Sequence, residues 1–191
     1  NPQAQFQLAQ ILRTGDGLPK DLPQAVEWYR KAAEHGMPDA QHNLGVVFDN
    51  GQGVTENDAE AAQWYRRAAE QGRPDAQYGL ARLLLFGKGV EHDPPAAARW
   101  LRIAAQAKHV DSIYNLGLMN RDGLGMPTNS LMAGKWLILS AKLGKLEAQG
   151  AYHILASDLS PEQRTLAERL AEEEQTLLNR PAPLPLGLLA P

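Results

Sequence analysis

The four tryptophans of this chain fall at Trp28, Trp64, Trp100 and Trp136, each 36 positions after the last. The same offset joins Gly15, Gly51, Gly87 and Gly123, and again Gly17, Gly53, Gly89 and Gly125. It also joins Ala25, Ala61, Ala97 and Ala133, and Leu8, Leu44, Leu80 and Leu116. Self-similarity at one fixed period, in so many registers at once, means that one supersecondary unit is copied along the chain.

The second copy reads most clearly. At about 100° per residue, Ala40, Leu44, Val47 and Phe48 share one arc of a helix, with His42, Val46 and Asp49 roughly opposite. After Gly51-Gln52-Gly53, a second helix carries Ala61, Trp64, Tyr65, Ala68 and Ala69 at the i, i+3, i+4, i+7, i+8 spacing of a buried face. Asp21, Asn57, Asp93 and Asn129 precede the second helices at equivalent places and are good N-caps. Asp21 with Gln24, and Asn57 with Glu60, have the spacing of capping boxes. Gly36, Gly72 and Gly144 end second helices where a left-handed residue is wanted; Lys108 stands at the third such place, so another geometry is expected there. Neither helix of a pair can bury its apolar face alone, so neighbours must stack. The alanines permit close approach and the tryptophan is expected to fill the larger space between layers, with truncation costing about 3–5 kcal/mol if it is fully buried.

The run Ala40-x-x-x-Leu44-Gly45, then Gly51-x-Gly53-Val54, then Ala61-x-x-Trp64-Tyr65-x-Arg67-Ala68-Ala69-Glu70-x-Gly72 resembles the Sel-1-like repeat, a relative of the tetratricopeptide repeat. The resemblance covers residues 4–147 as four units: 4–39, 40–75, 76–111 and 112–147. It implies an all-α fold, a right-handed α/α superhelix (solenoid) of 36-residue helix-turn-helix repeats with a C-terminal capping helix. In the fourth unit Ser112, Asn120 and Leu137 replace the usual Ala, aromatic and Tyr, and looser packing is expected there.

A partial fifth first helix spans 148–157, without a Gly-x-Gly turn behind it. Ser160, Pro161 and Gln163 then form a strong helix start. The capping helix over 161–179 has Leu166, Ala167, Leu170, Ala171 and Leu177 on its apolar face, and Glu162, Glu168, Glu172, Glu173 and Glu174 on its polar one. It is expected to shield the last interface of a single domain over 1–180. The tail 181–191 is Pro- and Leu-rich and cannot be a helix. It reads as an extended or disordered tail, or as a polyproline-like strand that docks in a groove of its own or a neighbouring molecule.

Chemistry finds little to hold. Cysteine is absent, which removes disulfides, thiolate metal sites and cysteine nucleophiles. A net charge of −3 gathers no phosphates, so no nucleic acid is expected as a partner. No apolar run reaches the roughly 20 residues that span a bilayer, so no membrane insertion is expected. The opening Asn1-Pro2-Gln3 is neither a signal peptide nor a start methionine, and reads as a cut inside a longer protein. Gly51-Gln52-Gly53 and Gly87-Lys88-Gly89 follow helices and lack the Lys-Ser/Thr of a phosphate loop, so they read as turns. His35, His42, His92, His109 and His153 sit at unrelated repeat positions with no two-ligand spacing, and Gly-x-Ser-x-Gly is missing. The expectation is no enzyme, no catalytic residue, no metal and no cofactor.

In superhelices of the tetratricopeptide type the open face of the first helices lines the concave side, and the resemblance implies the same here. Its stripes are Phe6, Gln10 and Arg13; His42, Val46 and Asp49; Tyr78, Arg82 and Leu85; Tyr114, Leu118 and Arg121. Four rings are expected to stack in one column with three arginines beside them, and such groups dominate protein interfaces. The reading is a non-enzymatic scaffold or adaptor that binds a protein or peptide on this face. The resemblance adds an alternative, an immunity protein that neutralises a secreted bacterial toxin, and an exported or periplasmic location. A second alternative is a self-assembling structural protein, the tail of one copy filling the groove of another.

Overall fold

Proline at the first turn costs a helix no hydrogen bond, and its fixed φ starts the helix in register. The chain uses this at Pro2, Pro38 and Pro74, so first helices open two residues ahead of the alanines that mark the repeat. In the computed structural model, which describes residues 1–180, ten α-helices follow one another: α1 Pro2–Thr14, α2 Leu22–Glu34, α3 Pro38–Asn50, α4 Asp58–Glu70, α5 Pro74–Phe86, α6 Pro94–Gln106, α7 Val110–Asp122, α8 Ser130–Lys142, α9 Leu146–Ala156 and α10 Pro161–Leu178. Each first helix packs on its own second helix, and each second helix on the next first helix. The fold is an all-α solenoid. The tail 181–191, with the docking and self-association readings placed on it, lies outside the described residues.

All four tryptophans occupy the seventh position of a second helix. They are less deep than expected. Trp64 is buried, whereas Trp28, Trp100 and Trp136 are half-buried against the core. Cations cover Trp28, Trp64 and Trp136: Lys31 lies 4.0 Å from the Trp28 ring, Arg67 4.5 Å from Trp64 and Lys135 4.3 Å from Trp136. The residue that fills the space between helices is the next one: Tyr29, Tyr65, Leu101 and Leu137 are all buried. Indole size explains the difference, since a side chain that large reaches the border of a two-helix layer.

From the second repeat on, the second glycine of the turn is the joint between repeats. A Cβ on Gly53 would meet Leu22 Cβ at 2.6 Å, and one on Gly125 would meet the backbone of Pro94 and Pro95. The turns at Gly53, Gly89 and Gly125 therefore sit against the first turn of the preceding second helix, whereas Gly17 of the first repeat meets nothing.

Asp21, Asn57, Asp93 and Asn129 accept from the backbone N–H three residues on, at 2.9, 3.1, 2.8 and 3.0 Å. The capping boxes expected at Asp21 and Asn57 do not close. Their own N–H groups already donate to Leu12 O and Phe48 O in the first helices, so no donor is left for Gln24 or Glu60. Glu60 instead accepts from Arg30 at 3.0 Å. The box at Ser160 and Gln163 does close.

Lys108 corrects the expectation of another geometry. It takes φ +61, and its N–H reaches Ala105 O while the His109 N–H reaches Ala104 O. This is the closure that Gly72 and Arg73 make to Ala69 O and Ala68 O. The backbone closure overrides the Cβ penalty of about 1–2 kcal/mol. The fourth unit is not loose either. Ser112 and Leu137 are fully buried, Asn120 is buried with its side-chain N–H on Leu116 O at 2.8 Å, and Gly117 admits Leu137 closely.

Helix α10 caps the array on its last second helix, α8, and not on α9. It packs on α8, through Ala167 and Ala171 against the Gly134 side, and leaves the face of α9 open. Lys135, almost buried on α8, holds Glu174 at 2.7 Å, and Lys142 holds Glu172 at 3.0 Å. Leu177, expected on the apolar face, is exposed.

Candidate functional site

Position i+7 on a first helix ends at the same side as position i, so a ring near the start and a charged group one or two turns later share a stripe. The structure places Phe6, His42, Tyr78 and Tyr114 at the fifth position of α1, α3, α5 and α7. They recur, but they do not stack on one another. Phe6 packs on Tyr29 at 5.7 Å, His42 on Tyr65 at 5.8 Å and Tyr78 on His109 at 5.0 Å. Phe6 and His42 turn toward their own second helices and Tyr78 toward the next repeat, while Tyr114 faces the Lys145 ammonium at 5.6 Å. Phe6 is buried by its contact with Tyr29, whereas Tyr78 and Tyr114 remain half-exposed.

The densest part of the face lies between α3 and α5. Asp49, its side chain 8% exposed, accepts from the Tyr65 hydroxyl at 3.2 Å and from the Arg82 guanidinium. Tyr65 reaches this carboxylate because Gly45 leaves no side chain in its way on α3 and Gly79 leaves none on α5, where a Cβ would lie 2.9 Å from the ring. Burial, then the neighbouring Asp49, pushes the Tyr65 phenol well above its ordinary value. Burial works against the Arg82 charge, but Asp49 outweighs it and the guanidinium is held more firmly protonated. His42 is pushed below 6.5 by burial, with Asp75 opposing, and its Nδ1 is buried without a hydrogen-bond partner.

Farther along, Leu85, Tyr114 and Leu118 are half-buried with one side on the core. Arg121 is bidentate with Asp122, at 2.7 and 2.9 Å; that bond raises the arginine and lowers the carboxyl. At the other end of the face, Arg13 is exposed and its Nε donates to the Tyr29 hydroxyl at 3.2 Å. The stripe residues therefore do not converge on one point; Asp49 and Arg82 meet, and the rest lie along the row.

A second feature runs beside them. Asp39, Asp75, Asp111 and Glu147 repeat at 36 in the first turns of α3, α5, α7 and α9, and Arg73, His109 and Lys145, just ahead of α5, α7 and α9, face them. Arg73 holds Asp39 at 2.9 Å and Asp75 at 3.1 Å. His109 Nε2 faces Asp75 at 3.5 Å, and Lys145 reaches Asp111 at 2.7 Å. The His109 Nδ1 accepts the Ser112 backbone N–H at 3.2 Å, which puts the ring proton on Nε2, toward Asp75. The 36-residue offset of the acids was the signal in the sequence for this ladder. Exposed pairs of this kind add little stability each, so their effect is to fix where charge sits on the face.

Among the described residues, no three His, Asp or Glu side chains gather as a metal site, and no helix is long and apolar enough to cross a membrane.

The Sel1 repeat family matches the chain four times, over residues 2–37, 38–72, 74–109 and 110–145. No curated protein matches. Among solved structures, a Sel1 repeat protein from Oxalobacter formigenes is 30% identical with a TM-score of 0.79, over 91% of this chain and 73% of that one. The protective antigen c5321 of uropathogenic Escherichia coli, with an SLR fold, is 28% identical with a TM-score of 0.65, over 93% of this chain. This chain spans 46% of its length. Helicobacter pylori cysteine rich protein B, at 24% identity and a TM-score of 0.55 over 69% of this chain and 95% of that one, shares the fold. With four family matches laid end to end over helix pairs that stack as the 36-residue period requires, this chain belongs to the Sel1 repeat family.

Proposed function

We propose that the chain is a binding scaffold that takes a protein or peptide on the open face of its first helices. Repeat proteins of this fold serve as protein-protein interaction scaffolds, and an extended row of equivalent helices is the surface such arrays offer. The observation that carries the reading is the pair of half-exposed stripes on α5 and α7. Tyr78, Arg82 and Leu85 on one helix stand beside Tyr114, Leu118 and Arg121 on the next. Tyrosine and arginine are the side chains on which interface energy concentrates. The Arg82 guanidinium, still one-third exposed, is aimed by Asp49, so a partner carboxylate would meet a preorganised fork.

The test is Tyr78→Ala with Tyr114→Ala in one chain, against Arg66→Ala with Arg99→Ala on the second helices. Proteins captured by each immobilised variant from the source cell are compared with those captured by the parent, and thermal melting is recorded alongside. Loss of a captured protein from the tyrosine pair alone, at unchanged melting, supports the reading. Equal capture by both pairs contradicts it.

A further inference from the structure

In each complete repeat the first helix lies beneath its own second helix. On α7 the residues so covered are Ile113, Leu116, Gly117 and Asn120, all buried. The same positions of α9 hold Gln149, Tyr152, His153 and Ala156, and none of these is buried. The helix that should cover them, α10, packs on α8 instead. What remains is a groove of about 580 Å³ with these four residues on one wall, Ile138 and Ala141 of α8 on another, and Glu168 and Glu172 of α10 at its edge. It is the seat of a second helix, left without one.

A helix is a poor fit for this seat. In the earlier repeats the position of His153 is Ala9, Gly45, Ala81 or Gly117, and Gly117 is small enough that its missing Cβ would stand 2.8 Å from Leu137. Helix axes come together at about 8–10 Å only where the contact residues allow it, and an imidazole there holds a second helix off. A thinner, extended chain meets no such limit. The groove is mostly apolar around Ile138, Ala141, Tyr152 and Ala156, and its Lys142 is already matched by Glu172 at 3.0 Å.

The chain carries a segment of that chemistry within reach. Residues 181–191 read Pro-Ala-Pro-Leu-Pro-Leu-Gly-Leu-Leu-Ala-Pro, without one charged side chain. Asn179, just ahead of it, is tied to Lys108 Nζ at 3.0 Å. From Glu172 to Asn179 along α10 is about 10 Å at 1.5 Å per residue. Eleven residues of polyproline geometry extend about 34 Å, enough to turn back along α9. Proline-rich segments dock on aromatic-lined grooves because little conformational freedom is left to lose, and Tyr152 supplies the ring.

We propose that the uncharged segment 181–191 folds back, extended, into the α8–α9–α10 groove of its own molecule and takes the seat that a second helix takes in the other repeats. The full chain is tested with two introduced cysteines, since it has none of its own. His153→Cys with Leu186→Cys is compared with Arg66→Cys and Leu186→Cys under mild oxidation at low protein concentration. The proposal expects a disulfide within the monomer for the first pair, formed about tenfold or more faster than for the second, because docking raises the effective concentration. Equal rates for the two pairs overturn it. So does a disulfide found only between two molecules, which would place the segment in another copy. A second reading uses no substitution at the groove: backbone hydrogen exchange over Gln149–Ala156 in the chain ended after Arg180. Exchange several-fold faster than in the full chain is expected, and unchanged exchange overturns the proposal.

Discussion

Arg82 of α5 donates to the carboxylate of Asp49 on α3, tying two first helices together across a repeat boundary while the Tyr65 hydroxyl holds the same oxygen from α4. Arg82→Ala leaves that carboxylate nearly out of water with one donor fewer. A cost of about 1–3 kcal/mol is expected, discounted from a fully buried pair because the guanidinium is partly exposed. Urea unfolding of Arg82→Ala, Asp49→Ala and the double variant checks it. Coupling of about 1 kcal/mol between the two positions is predicted, and additive losses would contradict the tie.

Two glycines at equal φ sign separate conformation from contact. Gly72 has φ +85 with nothing near its missing Cβ, so Gly72→Ala should cost about 1–2 kcal/mol from backbone alone. Gly89 has φ +64, and its missing Cβ would overlap the backbone of Asp58 and Ala59. Gly89→Ala should cost about 2–5 kcal/mol, the strain plus the forced separation of two repeats. Equal melting of the two variants would show that the turn is not a joint.

Lys108 pays the left-handed penalty that glycine avoids at Gly36, Gly72 and Gly144. Lys108→Gly should therefore stabilise the chain, by about 0.5–1 kcal/mol after the larger freedom of an unfolded glycine is subtracted. A lower melting temperature would mean that the Lys108–Asn179 contact outweighs the strain.

His42 is held below its ordinary 6.5 mainly by burial. The unfolded chain then takes up the proton first, so this contribution to stability is complete above pH 6.5 and is lost as pH falls below it. Unfolding free energies of the parent and of His42→Gln, measured from pH 7.5 to 5, should diverge in that window, the parent falling more steeply. Parallel curves would show that the imidazole titrates as if in water.

Much of this was legible in the sequence because a repeat states its rules four times. The caps at Asp21, Asn57, Asp93 and Asn129, the helix pairs and the Ser160 box are local patterns, and the structure carries them out. What one sequence hides is competition for the same group. Asn57 looks like half of a capping box until its N–H is found on Phe48 O. The rings looked like a column until Tyr29, Tyr65 and His109 offered nearer partners. The choice of α8 over α9 by α10 depends on Gly134 and Lys135 lying together with Ala167 and Glu174, a match between two helices that no period encodes.

The most direct measurement is photo-crosslinking from single positions of the intact chain in its own cell. A benzophenone side chain at position 78, on the first-helix face, should capture a partner protein that the same group at position 66, on the second helices, does not. Capture of that partner from position 66 with none from position 78 would contradict the assignment of the binding face.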